Sequence, residues 1–421
     1  MFDNLFFKKR NLLYKKKLKF DLFFSPLLVL PLILVFISSL LIHSVQRQLI
    51  YKDSFNHFLT GLFGYLLAIL ISYIPIQRIK SSIIPFYFLS LLSLVLIYFF
   101  GISIYGAQRW LSLGFISFQP SEVAKLSTLL VLAFVLDKKQ FISIRDLFSP
   151  FLVVIIPWLL IFFQPDLGTS LALIFLFFVM LYWAQIPIEW ILIIIFCIAT
   201  SIFSVISMYI LYFWLPFIGL LAYKSFKNKK IFTLFSLILH SCVAKFTPFL
   251  WNFGLKDYQK DRLILFIDPG RDPLGGGYHL LQSKIAVGSG GLFGTGILNG
   301  KLTNLKFIPE QHTDFIFSAL GEELGFTGSI IVVLIFFFLI IKLINIAKNA
   351  RTDFESLIVI GIASIFLFQI IINIYMTIGL GPVTGIPLPF MSYGRTSLLM
   401  NFTCMGLALS SLRRCRSLKE L

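Results

Sequence analysis

Three ionisable side chains crowd the segment Phe307–Phe315, which reads Phe-Ile-Pro-Glu-Gln-His-Thr-Asp-Phe. A polar, glycine-rich stretch precedes it and a membrane-length apolar run follows, so Glu310, His312 and Asp314 lie where an aqueous loop meets a membrane helix. Apolar surroundings raise the pKa of a carboxyl group, which suits Asp314 to act as a general base on a lipid head group. Two alternatives are open: His312 is the base, or Asp314 is the N-cap of a helix that begins at Phe315.

Further charged and aromatic residues flank other apolar runs. Glu122 and Lys125 are spaced i, i+3 and share one helix face, either as a structural ion pair or as groups that bind or couple. Arg109 carries the planar charge that suits a diphosphate, and Trp110 suits an interface anchor or a stacking partner for a sugar. Asp166 lies at a helix break, where a cap and a ligand are equally good interpretations.

Glycines and prolines mark two irregular segments. Gly296–Leu302 is one residue short of the phosphate-loop pattern, and Gly288–Gly291 lacks the third glycine of the dinucleotide fingerprint. We therefore expect these glycines to form tight turns rather than a nucleotide site. Gly381–Gly394 holds three prolines and three glycines, which predicts a shaped loop. All the polar motifs are expected on one side of a membrane, converging on one partly hydrophobic cavity.

The composition is that of a membrane protein. The chain of 421 residues is 58% hydrophobic and 13% charged, with a mean hydropathy of +0.91. Soluble domains carry about 25% charged residues, so we expect an all-α polytopic membrane protein. The net charge of +17 includes a basic N-terminus at 1–22 and a basic tail at 412–421. Basic ends beside apolar spans follow the positive-inside rule, so both termini are expected in the cytoplasm and nucleic acid is not an expected partner. The four cysteines form no C-x-x-C pair, which argues against a thiolate metal site.

A transmembrane domain is predicted at 23–411, because apolar runs of about 20 residues recur along it. The clearest spans are at 23–42, 56–74, 82–102, 120–136, 148–164, 167–185, 326–341, 356–378 and 395–411. Residues 191–223 carry no charge over more than one span length, so we expect a bend near Met208 and an extra helical hairpin at 208–247. This interpretation gives twelve spans, whereas one long tilted or broken helix together with an interfacial segment gives ten. Either version places the large loop 251–314 outside the cytoplasm.

Six sequence blocks, found in order along the chain, resemble the SEDS family of cell-wall polymerases, and its RodA branch more than its division paralogue FtsW. The blocks are Gly106–Leu111, Gln119–Lys125, Gln164–Ser170, Asp272–Ala286, Pro309–Phe317 and Pro387–Phe390. The resemblance implies a bundle of about 10–12 transmembrane helices with a large extracytoplasmic loop. It also implies a multi-pass protein of the cytoplasmic (inner) membrane, in contact with membrane lipid, with its active site extracytoplasmic.

The activity that the resemblance implies is that of a peptidoglycan glycosyltransferase, which polymerises lipid II into glycan strands during cell elongation. The implied partners are a class B penicillin-binding protein transpeptidase and other elongation-complex proteins. The family's essential extracellular aspartate corresponds to Asp314 and its outer-loop tryptophan to Trp110. Its charged pair in the fourth span corresponds to Glu122 and Lys125.

The mechanism expected on this basis has Asp314 deprotonating the sugar hydroxyl that attacks. Arg109 or Lys284, or a divalent cation as the one candidate cofactor, would offset charge on the leaving diphosphate; the metal itself is unknown. Glu310 and His312 are supporting candidates for the same site.

The chain departs from the family's pattern in two places, and other functions are open. The hairpin at 208–247 adds two spans to the family's usual ten. Arg395 stands where the family has glycine, which puts the local backbone in question. The alternatives to an elongation polymerase are a lipid II flippase, a scaffold that only recruits the transpeptidase, and a division-specific polymerase of the FtsW type.

Overall fold

The computed structural model describes residues 25–46, 53–104, 107–113, 116–138, 144–225, 229–254, 260, 268, 276–305, 307–309 and 311–418. Thirteen α-helices of 14 residues or more lie within these ranges. They are α1 (Pro26–Val45), α2 (Asp53–Ser72), α3 (Ile83–Phe100), α4 (Pro120–Lys138), α5 (Phe148–Phe163), α6 (Leu167–Trp183), α7 (Ile188–Ile206), α8 (Met208–Ser225), α9 (Lys229–Phe249), α10 (Gly276–Ser289), α11 (Ile316–Lys348), α12 (Asp353–Thr377) and α13 (Arg395–Leu418).

Most of these helices are membrane helices by length and composition. Eight helical segments in the described ranges are long and apolar enough to cross a membrane, and α6 and α8 are shorter but also apolar. All the helices except α10 lie at the positions of the predicted spans. Continuous helix is the form expected there, because hydrocarbon offers the backbone no hydrogen-bond partners. The prediction of a polytopic, essentially all-α membrane protein is confirmed.

A small antiparallel sheet in the connection from α3 to α4 was not predicted. Its strands are β1 (Ile102–Ile104), β2 (Ala107–Leu113) and β3 (Ile116–Phe118), in the order β1-β2-β3. Runs of three residues are too short for an alternating pattern to be distinguished from a loop. The central strand β2 packs against α3 and α4, which places Arg109 and Trp110 on a defined element at that end of the bundle.

The helix α12 forms the centre of the bundle and packs against α4, α6, α11 and α13. A proline-rich loop, residues 378–394, joins α12 to α13 and is anchored in the core by Phe390. The Phe390 ring is buried and lies edge-on to Phe366 at 5.4 Å and to Phe402 at 5.3 Å between centroids. Such aromatic pairs contribute about 0.5–1.5 kcal/mol each beyond their buried area, so this loop is held firmly.

The helices α7, α8 and α9 pack mainly on one another, and α7 joins the rest of the bundle at α6. Ser207 has an extended backbone that separates α7 from α8, so the predicted bend near Met208 is present. A buried polar group fastens the three helices: Thr200 lies 2.6 Å from a ring nitrogen of His240 and accepts a hydrogen bond from the Trp214 indole at 2.9 Å. Interhelical hydrogen bonds of this kind hold membrane helices together where burial alone gives little driving force.

Candidate active site

Asp314 does not cap the helix that follows it. The helix α11 begins at Ile316, and the residue in its N-cap position is Phe315, whose side chain makes no capping hydrogen bond. The N-cap alternative for Asp314 is therefore wrong. The Asp314 side chain is partly buried.

Asn373 clamps the Asp314 backbone to the proline-rich loop. Its side-chain amide donates to the Asp314 carbonyl at 2.8 Å and to the Ile386 carbonyl at 2.7 Å. Asn373 is fully buried on α12 and was not among the predicted site residues. The available signal was an amide side chain inside a largely apolar span, since polar groups at membrane depth are costly and usually functional.

The Asp314 carboxylate lies over Gly385. A Cβ atom built on Gly385 would lie 3.3 Å from Oδ2 of Asp314, and the glycine has a φ of +71°. Residues with a side chain rarely adopt this left-handed conformation, so glycine is required for the loop to pass beneath the carboxylate. The carboxylate of Asp314 therefore faces the proline-rich loop.

The glycine-rich segment before Asp314 packs backbone to backbone against the start of α11. A Cβ atom on Gly290 would lie 1.9 Å from the carbonyl oxygen of Gly321, and one on Gly294 would lie 2.1 Å from that of Glu323. The amide of Gly296 also donates to the Glu323 carbonyl at 3.0 Å. These glycines therefore serve close packing of the two backbones.

Glu322 fastens the rest of this segment and was also missed. Its carboxylate accepts from the amides of Leu302 at 2.8 Å and Thr303 at 2.9 Å, and from the Thr303 hydroxyl at 2.6 Å. Leu302 and Thr303 belong to the one-turn helix Lys301–Asn304. A carboxylate that accepts several hydrogen bonds tolerates burial, so this acid is structural rather than reactive.

His312, two residues before Asp314, is held in place by Tyr393. The Tyr393 amide donates to the His312 carbonyl at 3.0 Å, and the two rings are 5.7 Å apart. His312 thus lies beside the proline-rich loop, as a supporting residue would. Glu310 lies outside the described residues.

A second polar cluster surrounds Asp166, which caps α6. Its carboxylate accepts from the Thr169 amide and, at 2.8 Å, from the Thr169 hydroxyl. The Arg109 guanidinium lies 3.9 Å from the carboxylate and donates to the Pro165 carbonyl. Burial alone would raise the pKa of the Asp166 carboxyl, but Arg109 and the Thr169 hydrogen bonds hold that pKa below its ordinary value. Asp166 thus acts as a cap and as an anchor for Arg109.

The proline-rich loop brings the two clusters to one end of the bundle. A Cβ atom on Gly168 would lie 2.5 Å from Cγ1 of Ile386 and 3.2 Å from the Thr384 carbonyl oxygen. The same loop segment carries Gly385, which meets Asp314. The start of α6 and the Asp314 carboxylate therefore contact adjacent residues of one loop.

Lys284 and Trp110 also lie on connections to this end. Lys284 is exposed on α10, and its aliphatic stem crosses Gly379, where a Cβ atom would lie 2.7 Å from Cε. Trp110 is partly buried and faces Ile102 across the sheet. The structure leaves the Lys284 ammonium group accessible, whereas the Arg109 guanidinium is engaged by Asp166.

Glu122 and Lys125 form the ion pair that their spacing predicts. Their charged atoms are 2.8 Å apart, and the residues are 3% and 5% exposed. Both side chains lie on α4, so the pair does not tie two helices together. The neighbouring Ser121 hydroxyl donates to Asp166 at 3.3 Å, which links the pair to the second cluster.

Breaking this pair should destabilise the protein strongly. Either Glu122→Gln or Lys125→Met leaves one buried charge without a partner, for which we expect a loss of about 3–5 kcal/mol. The double variant removes both charges and should recover most of that loss. Thermal unfolding in detergent measures the stability of the two single variants and of the double variant. A double variant as unstable as the singles would contradict the expectation.

The described residues offer no ready-made metal site. Among them, no three His, Cys, Asp or Glu side chains are grouped closely enough to hold a metal ion. Magnesium is commonly held by one or two carboxylates together with the phosphates of a substrate, so a divalent cation would not need a protein cage.

Comparisons with known proteins agree with one another. The model of the FTSW_RODA_SPOVE family, described as cell cycle protein, matches residues 18–236 and 210–417. The chain is 35% identical over 361 residues to the peptidoglycan glycosyltransferase MrdB of Escherichia coli, with 82% of each chain covered. It is 32% identical over 398 residues to the peptidoglycan glycosyltransferase RodA of Treponema pallidum, covering 87% of this chain and 90% of that one. A probable FtsW of Trichlorobacter lovleyi is 33% identical over 372 residues, with 87% of this chain and 82% of that one covered.

Solved structures show the same fold. A chain of a peptidoglycan synthase complex, studied for the coordination of polymerization and crosslinking, matches with a TM-score of 0.69 and 29% identity, covering 92% of this chain and 97% of its own length. The Thermus thermophilus rod shape determining protein RodA matches in fold with a TM-score of 0.59 and 24% identity, covering 92% and 95%. The sequence blocks, the helical bundle and these matches together place the chain in the FtsW/RodA/SpoVE family, the SEDS family, to which it therefore belongs.

Proposed function

We propose that this chain is a peptidoglycan glycosyltransferase that joins lipid II units into glycan strands, with Asp314 as its catalytic base. One observation carries the assignment: the Asp314 carboxylate lies against Gly385 of the proline-rich loop, with Phe315 and not Asp314 in the N-cap position of α11. The same loop contacts the elements that carry Asp166, His312 and Lys284. A carboxylate at this meeting point is well placed to accept a proton from a bound hydroxyl.

The proposed step is a displacement at the anomeric carbon of the growing chain. The 4-hydroxyl oxygen of the incoming lipid II sugar forms the new bond to that carbon while its proton passes to Asp314. The bond from the anomeric carbon to the diphosphate breaks, and undecaprenyl diphosphate leaves with the bonding electron pair. One base and one leaving group on opposite faces of the carbon give inversion of configuration.

Neutralisation of the negative charge on the leaving diphosphate is the second requirement of the reaction. Lys284 is the better candidate for this role, because its exposed ammonium group is accessible whereas Arg109 is turned towards Asp166. Arg109 then orients β2, and with it Trp110. A divalent cation bound with the substrate's diphosphate would supply the same neutralisation, and loss of polymerisation in a chelator, restored by Mg²⁺, is the measurement that detects it.

Polymer formation in detergent tests the function as a whole. Purified protein supplied with lipid II and its transpeptidase partner should produce glycan strands without any membrane to cross. A flippase would produce none, since it only moves its substrate between leaflets. Lipid II that stays monomeric under these conditions would overturn the proposal.

The sidedness of the site is the next part of the proposal. The basic ends and loops support cytoplasmic termini and an extracytoplasmic Asp314, and then the connection between α8 and α9 faces the cytoplasm. A reporter fused at residues 226–228 should therefore show cytoplasmic activity, and one at residues 290–295 should show extracytoplasmic activity. A reporter at 226–228 on the outside would contradict the twelve-span arrangement while leaving the chemistry unaffected.

The relatives suggest the cellular role and the partner. Matches to MrdB and RodA support elongation, and the match to a chain of a synthase complex supports a class B penicillin-binding protein as partner. A fluorescent fusion should lie along the side wall of the cell. Confinement to the division site would favour the FtsW-type role.

A further inference from the structure

The Tyr393 hydroxyl lies outside the groups that the proposed reaction uses, yet it joins two distant parts of the chain. It donates to Oδ1 of Asp53, the first residue of α2, at 3.0 Å. Arg395, the first residue of α13, forms a hydrogen bond with the same hydroxyl. The Gln46 amide donates to the other carboxylate oxygen of Asp53 at 2.9 Å. The hydroxyl therefore bridges an anion and a cation that belong to opposite ends of the sequence.

The backbone and ring of Tyr393 reach the active site at the same time. Its amide donates to the His312 carbonyl, two residues before Asp314, at 3.0 Å. Its ring lies between two imidazoles, 5.7 Å from His312 and 6.1 Å from His57. A displacement of the Tyr393 side chain would therefore be transmitted directly to the His312 backbone.

The charges explain why the bridge needs all three members. A cation at the first residue of a helix is unfavourable, because the helix dipole places partial positive charge there. The Asp53 carboxylate compensates Arg395, and the hydroxyl between them can donate to the anion and accept from the cation. Burial, followed by the Asp53 charge, raises the pKa of Tyr393, so its hydroxyl stays protonated and keeps its donor.

We propose that Asp53, Tyr393 and Arg395 form a positioning bridge that holds the His312–Asp314 segment against the proline-rich loop. The three residues need no contact with substrate. The inference rests on the proposed function, because it takes Asp314 as the group that must be positioned. Misplacing a reacting group by about 1 Å costs up to about 100-fold in rate, which sets the size of the expected effect.

Tyr393→Phe tests the bridge with the smallest change. The ring and the backbone hydrogen bond remain and only the bridging hydroxyl is lost. We expect kcat for lipid II polymerisation to fall by at least about tenfold with KM unchanged, since positioning affects the reacting geometry and not lipid binding. The matched control is Tyr87→Phe, which removes a hydroxyl that donates from α3 to the Val153 carbonyl on α5 at 2.8 Å and should leave kcat at the wild-type value. Wild-type kcat in Tyr393→Phe would overturn the bridge.

A stability cycle gives a second readout that does not depend on activity. Unfolding temperatures of Asp53→Asn, Arg395→Gln and the double variant should show coupling, with the double variant more stable than the sum of the single losses predicts. Additive losses would overturn the bridge. The two proposals can fail separately. An Asp314→Asn protein that still polymerises lipid II would disprove Asp314 as the base, while the coupling between Asp53 and Arg395 would still be observed. An inactive Asp314→Asn protein, together with additive stability losses in the cycle, would disprove only the bridge.

Discussion

Replacing Asp314 with asparagine should abolish glycan polymerisation while the protein remains folded. Asparagine has nearly the same shape and keeps the backbone carbonyl that Asn373 binds, but it cannot take a proton from the attacking hydroxyl. Loss of a general base lowers a rate by about 10²–10⁴-fold. We expect no polymer above background in a lipid II assay with the transpeptidase partner present.

The control for this experiment is another Asp→Asn substitution, at a residue far from the candidate active site. Asp353 is exposed in the first turn of α12, and α12 reaches the active site only at its far end, so Asp353→Asn should polymerise normally. His312→Gln separates the two candidate bases, because it should reduce the rate without abolishing it. An active Asp314→Asn protein together with an inactive His312→Gln protein would transfer the role of base to His312.

Adding a single methyl group at residue 290 should reduce polymerisation almost as much as Asp314→Asn does. Gly290→Ala forces a Cβ atom to 1.9 Å from the Gly321 carbonyl oxygen, so the glycine-rich segment and the first turns of α11 must separate. Overpacking of this kind costs about 1–3 kcal/mol, and the displaced helix start carries Asp314 with it. We expect a lower unfolding temperature and loss of most polymerisation activity.

The chain supplies its own control two residues away. A Cβ atom on Gly288 would meet nothing within 4 Å, so Gly288→Ala should keep both stability and activity. Equal behaviour of the two variants, whether both harmless or both harmful, would contradict the claim that Gly290 is needed for close packing against α11.

The sequence alone was sufficient for the helices, for a physical reason. Membrane helices follow from local apolar runs, and the bend near Met208 followed from a run too long for one span. Asp314 could be proposed from the sequence because an acid at a membrane boundary is costly. Asn373 and Gly385 were missed, because their roles depend on contacts between segments distant in sequence. The sheet that holds Trp110 was missed because the two strands that flank β2 have only three residues each, too few to show an alternating pattern.

The departure at Arg395 illustrates the same limit. The sequence suggested that a side chain at this position disturbs a backbone that needs glycine. In the structure Arg395 begins α13, and its φ is not positive. The backbone at this position therefore does not need the left-handed conformation that favours glycine. Its partners, Asp53 and Tyr393, could not be identified from local sequence.

The anchoring of Phe390 between Phe366 and Phe402 has a consequence for how the enzyme matures during synthesis. Phe402 lies on α13, whereas Phe366 lies on α12, so the anchor of the loop under Asp314 is complete only after α13 has entered the membrane. A nascent chain that already contains Asp314 but not α13 should therefore still be inactive. Chains released before α13 should be unable to consume precursor, which protects the cell from unregulated wall synthesis by incomplete products.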